Sequence, residues 1–355
     1  MTVEGNVITS IAAAPDTGPP PSAVILPGLI DIHCHGGGGH GFSTSDPAEA
    51  LAAAAHHASA GTTGLIASIV TAPPADMLRQ VRALAPLVAA GHLLGIHLEG
   101  PFLSPARRGA QSAADIRDPD PALAEDLLEA GGGAIRIMTI APERPAASVV
   151  IKLLISAGVV VALGHTDADY ATMSEALSAV GGTALVTHLA NGMPPLHHRA
   201  AGPAAAALVA AAADQASVEL IADGVHVDAG FTRLVFGAAA PGRVVLVTDA
   251  MAAAGMPDGT YELGPQRVRV SEGVARLADG DALAGGTSSL LQVVATARAA
   301  GVGEPEAIRA ATEAPARVLG LPGHGRLAPG SPADLVVADE RLTPRRVMRD
   351  GRWLE

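Results

Sequence analysis

Six residues of this chain carry side chains suited to holding a metal ion, and their placement repeats. His33 and His35 stand two apart at the end of "LIDIHCH" (residues 29–35). Glu99 ends the run in "LLGIHLEG", His165 ends "VVVALGH", His188 falls in "TALVTHL" and Asp249 in "VVLVTDA". Each closes an apolar, β-branched run. Side chains two apart on a strand share a face, so His33 and His35 can point together while Cys34 points away. The glycines that follow, 36 to 39, let the backbone pass close to such a centre. Four imidazoles and two carboxylates suit Zn²⁺ or a similar divalent ion, one or two per chain. Such an ion lowers the pKa of a bound water to about 7 and polarises a carbonyl. Asp249 is then the expected acid/base, taking a proton from the water and returning it to a leaving amine. Together these parts describe hydrolysis of an amide-like bond, with hydroxide on the metal as nucleophile.

These residues need a scaffold that brings strand ends together. Eight short apolar runs recur, at 29–35, 62–68, 93–100, 134–143, 159–165, 183–189, 218–224 and 244–250, with Ala/Leu-rich helical segments between them. Continuous apolar strands alternating with helices imply parallel strands covered by helices. Eight such units predict an α/β fold, a closed (β/α)8 TIM-type barrel with its chemistry at the C-terminal ends of the strands. A doubly wound open sheet is the structural alternative. The ends of the chain read differently. Residues 1–25 hold "NVITSIA" and then the Pro-rich "PDTGPPPSA"; residues 325–355 hold short strands bounded by Gly-Ser-Pro and Asp-Gly turns. Both ends are expected to form one small β-sandwich domain beside a barrel of residues 26–324. Residues 260–281 read as an antiparallel excursion after the eighth strand, and 200–216 as an alanine-rich helix.

Composition narrows the partners. The net charge of −12 argues against non-specific nucleic-acid binding. It also means that an anionic ligand must be met by a few local arginines. Cys34 is the only cysteine, so an internal disulfide framework is excluded. The start, "MTVEGNVITS", has no basic region followed by an apolar one, and no run reads as a membrane span. The expectation is a cytoplasmic protein with no membrane partner.

The stretches "LPGLIDIHCHGGGG", "GIHLEGPFLSPARRGA", "ALGHTDADY", "VTHLANGMPPLHHRAAG", "IADGVHVD" and "LVTDAM" together resemble the amidohydrolase superfamily. Within it they resemble the N-acetylglucosamine-6-phosphate deacetylase family, over nearly the whole chain. One count agrees. Many two-metal amidohydrolases bridge their ions with a carboxylated lysine on the fourth strand, and this chain's one lysine, Lys152, lies in a helical segment before the fifth. The resemblance implies Glu99 in that central role, with His165 and His188 completing the main metal site and His33 and His35 a second. It implies that the Asn191–Gly192 loop and Arg199 bind a sugar phosphate. Ala110, Gln111 and His226 would contact the substrate, and Leu283, Ala284 and Gly285 would line an acetyl pocket. It further implies a homodimer in which Arg199 and His226 can serve the neighbouring subunit. The implied reaction converts N-acetylglucosamine 6-phosphate to glucosamine 6-phosphate and acetate.

Two departures stand out. Gln111 occupies a position where the family usually has a sugar-contacting histidine, and Asn191–Gly192 replaces its usual Asn-Ala. Glutamine still donates and accepts hydrogen bonds but carries no charge. Gln111 therefore motivates an alternative substrate, such as N-acetylgalactosamine 6-phosphate. A non-catalytic sugar-phosphate sensor is the alternative from another class. His97 is expected to be a core or supporting group, His197 and His198 to lie on a surface loop, and His40, His56, His57, His92 and His324 to be structural or exposed.

Overall fold

The computed structural model describes residues 1–12 and 23–354, so the Pro-rich stretch 15–22 lies outside the described residues. The eight apolar runs form one parallel sheet in sequence order: Leu29–Cys34, Thr62–Val70, Gly95–Glu99, Ile135–Ile140, Val160–Leu163, Ala184–Val186, Ala216–Leu220 and Val244–Leu246. The first and eighth strands meet just past the regular ladder. Asp249 N–H donates to His33 O at 2.9 Å and His35 N–H to Ala250 O at 2.7 Å, and Cys34 and Ala250 form a parallel bridge. The buried Asp31 carboxylate stitches the same seam, accepting from the Thr248 hydroxyl at 2.6 Å. The sheet is thus a nearly closed barrel, and the open-sheet alternative fails at this seam.

Side-chain alternation divides the apolar residues into two layers. Val161, Leu163, Val186, Val218 and Leu246 face the helices and belong to the large outer core. Ile66, Ile137, Ala162, Leu185 and Val245 form a separate cluster with Ile30 and Ile32, backed by Ala316 and Leu319. This plug, drawn from nearly every strand, is the packed interior expected of such a barrel. Asp46, Asp120, Asp169 and Asp228 cap four of the surrounding helices, each side chain accepting a first-turn backbone N–H. Each cap of this kind contributes about 1 kcal/mol and marks where the chain leaves its strand-end loop.

The antiparallel excursion is Gly259–Leu263, Gln266–Ser271 and Val274–Leu277. Its period-two face, with Leu263, Val268 and Val270, packs on Met251, Ala252 and Ala284 just past the eighth strand. At the termini, Val24–Pro27 pairs antiparallel with Leu335–Ala338, which pairs in turn with Pro344–Arg349. The hairpin Thr2–Glu4/Val7–Ser10 lies against this sheet, with Ile8 in one apolar cluster with Ala333, Leu335 and Met348. The alanine-rich helix runs Gly202–Ala212, shorter than the 200–216 expected, because Asp214 adopts a left-handed φ of 60° and the next strand begins at Ala216. Among the described residues, no helix is long and apolar enough to cross a membrane.

Candidate metal centre and substrate pocket

The barrel gathers all six sequence-predicted ligands at one end. Glu99 lies at the centre. Its Oε1 is 3.0 Å from both His165 Nε2 and His188 Nε2. Its Oε2 is 3.1 Å from His35 Nε2. His33 Nε2 lies 3.4 Å from Glu99 Oε1. Asp249 Oδ1 reaches His35 Nε2 at 3.2 Å and His33 Nε2 at 3.4 Å. Two sets of ligand atoms therefore share one carboxylate: His33, His35 and Glu99, and Glu99, His165 and His188. His165, His188 and Asp249 all have φ between 23° and 48°, a conformation that non-glycine residues adopt at a cost. Strain of this kind is tolerated where the surrounding structure holds a functional geometry.

The donor chemistry fits a divalent ion. His165 Nδ1 faces the Arg107 carbonyl at 2.8 Å and His35 Nδ1 faces the Ser68 carbonyl at 3.2 Å. A carbonyl only accepts, so both Nδ1 atoms carry a proton and both Nε2 atoms face the centre as the nitrogens that would bind a metal. His165 Nε2 and His188 Nε2 are 3.1 Å apart, and His33 Nε2 and His35 Nε2 are 3.2 Å apart. Ligands held 2.0–2.1 Å from a tetrahedral zinc ion sit about 3.3 Å from one another. Nε2 atoms gathered at such spacing suit a cation held between them. Electrostatics points the same way. Burial opposes charge on His35, yet Asp249 and Glu99 raise its pKa to about 9. Burial alone would raise Glu99 and Asp249. Instead the neighbouring histidines hold Glu99 well below the usual carboxylate range and draw Asp249 down to about 2. The carboxylates stay ionised, and the centre favours added positive charge.

A cavity of about 230 Å³ opens above the centre, with His35, Glu99, His165, His188 and Asp249 in its wall. Ala110, Gln111, Asn191, Gly192, His226, Leu283 and Gly285 line the rest. Gln111 is buried and fully engaged: its Oε1 accepts from Thr71 N–H at 2.8 Å and its Nε2 donates to Glu99 Oε2. Asn191 N–H is already spent on His188 O at 2.9 Å, whereas its side-chain Nδ2 is buried without a partner. The loop thus brings the Asn191 side-chain amide to the cavity wall. His226 Nδ1 pairs with Asp223 Oδ2 at 2.8 Å, which fixes its ring toward the cavity. Two expected residues do not reach it. Ala284 is fully buried in the apolar cluster under the antiparallel excursion, because alternation turns it away from its neighbours Leu283 and Gly285. Arg199 sits exposed on its loop with its guanidinium on His198 Nε2 at 2.7 Å, outside this chain's cavity.

Gly192 packs closely against the ring of His165 in this arrangement. It has φ +61°, and a Cβ there would lie 2.8 Å from His165 Nδ1 and 3.2 Å from the Arg107 carbonyl. Gly192→Val, a branched side chain that fits neither the positive φ nor the contact with His165, is expected to displace His165, lower kcat at least tenfold and cost about 1 kcal/mol or more of stability. Steady-state kinetics with parallel thermal unfolding checks this; unchanged kcat would show that His165 is not held by this contact.

Apart from His97, the groups that orient the ligands are less visible in the sequence. Glu219, on the seventh strand, accepts from His33 Nδ1 at 2.9 Å. Below the centre, Ser68, His97, Thr139 and Thr187 form a buried chain of hydrogen bonds of 2.8–2.9 Å. Both ring nitrogens of His97 are used in it, in keeping with a supporting role. The available signal was charge inside an apolar strand: Asp31 and Glu219 are carboxylates in otherwise apolar runs, a placement that requires a partner.

The chain matches the profile of the amidohydrolase family over residues 24–354. It is 39% identical over 270 residues to the N-acetylglucosamine-6-phosphate deacetylase of Bacillus subtilis (strain 168), across 74% of this chain and 66% of that protein. It is 35% identical over 359 residues to the N-acetylgalactosamine-6-phosphate deacetylase of Escherichia coli O157:H7, across 99% of this chain and 93% of that protein. Among solved structures, a variant of the N-acetyl-D-glucosamine-6-phosphate deacetylase of Mycobacterium smegmatis, in complex with N-acetyl-D-glucosamine-6-phosphate, matches with a TM-score of 0.92 at 44% identity, over 99% of this chain and 93% of that one. With a nearly closed eight-stranded barrel, two ligand sets joined by Glu99 and these relatives, the chain belongs to the metal-dependent amidohydrolase family.

Proposed function

We propose that this protein hydrolyses the acetamide of N-acetylglucosamine 6-phosphate to glucosamine 6-phosphate and acetate. The observation that carries this reading is Glu99 shared between two histidine pairs at the floor of a small cavity, with Asp249 beside it. A divalent ion held by Glu99, His165 and His188, with His33 and His35 placed for a second, would activate water and polarise the acetamide carbonyl; the nitrogen and oxygen donors favour zinc.

The chain's own residues supply the rest. Asp249 is an ionised carboxylate that lines the cavity, so it accepts the proton of the attacking water. A C–O bond forms at the acetyl carbon, the C–N bond breaks, and Asp249 returns its proton to the departing amine nitrogen. Gln111 holds the orientation of Glu99 through Thr71. Leu283 and Gly285 give the acetyl group an apolar wall, and His226 meets the sugar. Asn191 and Gly192 face the phosphate. Arg199, exposed on its loop, is placed to complete the phosphate site of a second subunit in a homodimer. A phosphorylated substrate suits a cytoplasmic enzyme.

A second reading has its own support. The Escherichia coli relative, an N-acetylgalactosamine-6-phosphate deacetylase, favours N-acetylgalactosamine 6-phosphate as the substrate. A sugar-phosphate sensor would have no use for Asp249 beside the ligands. The deciding experiment compares kcat/KM on both 6-phosphate epimers and on unphosphorylated N-acetylglucosamine. Preference for the phosphorylated glucose epimer supports the proposal. Preference for the galactose epimer moves the assignment to the second reading, and no turnover of any of the three by metal-loaded protein sinks both.

A further inference from the structure

Glu219 is fully buried on the seventh barrel strand, with Ile221 and Ala222 following it toward the strand end. One of its oxygens does two jobs. Oε2 accepts the Nδ1 proton of His33 at 2.9 Å and the backbone N–H of His188 at 3.1 Å. His33 belongs to one ligand set and His188 to the other. Oε2 is the acceptor, so Glu219 holds the proton of His33 on Nδ1 and turns its Nε2 toward Glu99. The His188 backbone has a left-handed φ of 23°, and its N–H is tied to the same oxygen. Glu219 also reaches this loop through its own carbonyl, which accepts from Leu189 N–H at 2.8 Å. Its second oxygen, Oε1, is buried without a hydrogen-bond partner. A buried carboxylate half satisfied in this way is costly unless a positive charge lies close by.

We propose that Glu219 is a positioning residue that pre-sets both halves of the metal centre at once, through the His33 ring and the His188 backbone. The inference rests on the reading of Glu99 and the four histidines as metal ligands, and it is independent of which sugar is hydrolysed. Its consequence is that one side chain, touching neither metal nor substrate, controls metal affinity in both ligand sets.

Two variants separate positioning from mere packing. Glu219→Leu keeps the volume but removes the acceptor. Glu219→Gln keeps a carbonyl oxygen for the His33 and His188 protons. Zinc affinity is measured on the purified full chain by chelator competition, beside zinc content per chain and thermal unfolding of the metal-free protein. Glu219→Leu is expected to weaken zinc binding about 10–100-fold with metal-free unfolding unchanged. Glu219→Gln is expected to recover most of that loss, and KM is expected to move little in either. Zinc affinity equal to wild type in Glu219→Leu overturns the proposal. So does a loss that Glu219→Gln fails to rescue, or one that tracks a fall in metal-free stability. A wild-type protein that binds zinc but deacetylates no sugar phosphate removes the functional reading and leaves this proposal standing. A wild-type protein that binds no zinc removes the ligand assignment and this proposal with it.

Discussion

Asp249→Asn is expected to lower kcat by about 100- to 10,000-fold while leaving KM, metal content and the fold nearly unchanged. Asp249 is the one carboxylate of the centre that lines the cavity without belonging to either ligand set. Burial would favour its protonated form, but His33 and His35 pull its pKa down to about 2. At neutral pH it is therefore ionised, with an oxygen open to a proton. Asparagine has nearly the same shape and tolerates the left-handed backbone at this position, φ 48°. It cannot take up or return a proton. The fall should appear in kcat, because a proton in transit belongs to the transition state and not to the bound substrate. Steady-state kinetics beside metal analysis separates the outcomes. Normal turnover by a metal-loaded Asp249→Asn protein would remove Asp249 from the chemistry. A loss of metal in step with activity would make it a ligand instead.

Glu99→Gln is expected to have the larger effect on the centre itself. Glu99 is common to both ligand sets, with Oε1 toward His165 and His188 and Oε2 toward His35 and Gln111. Glutamine offers one neutral oxygen in place of two that share a full charge, so a divalent ion loses its main electrostatic partner. Metal that binds only the folded chain stabilises it by about 4 kcal/mol when present at a thousandfold excess over Kd. Wild-type protein should therefore unfold at a higher temperature when metal is added, and Glu99→Gln should lose most of that rise together with most of its bound metal. Far-ultraviolet circular dichroism should stay unchanged, because the plug of Ile66, Ile137, Leu185 and Val245 below the centre does not touch Glu99's charge. A variant that keeps both the metal and the metal-dependent rise would place the ion elsewhere.

The barrel was legible because its strands bury both faces and so read as unbroken apolar runs, each ended by a change of polarity. That same change of polarity marked His33, His35, Glu99, His165, His188 and Asp249. What stayed hidden depends on which strands become neighbours. The seam between Cys34 and Ala250 joins residues far apart in the chain. Glu219 looks like one stray charge until the barrel sets it against His33. Gln111 lines the cavity, but the sequence does not show that the fold also ties its amide to Thr71 and Glu99. Ala284 fails for a smaller reason: in a loop, sequence does not say which of three consecutive residues alternation turns inward. Arg199 was read from a motif as able to serve a neighbouring subunit, and it lies exposed outside its own chain's cavity.

The measurement that bears most directly on the central claim is acetate release from N-acetylglucosamine 6-phosphate by metal-stripped protein as zinc is added back in steps. Turnover absent in the stripped protein, rising in proportion to zinc bound at the Glu99 centre and lost again on chelation, is the predicted result. Acetate release at full rate from protein that holds no metal would contradict it.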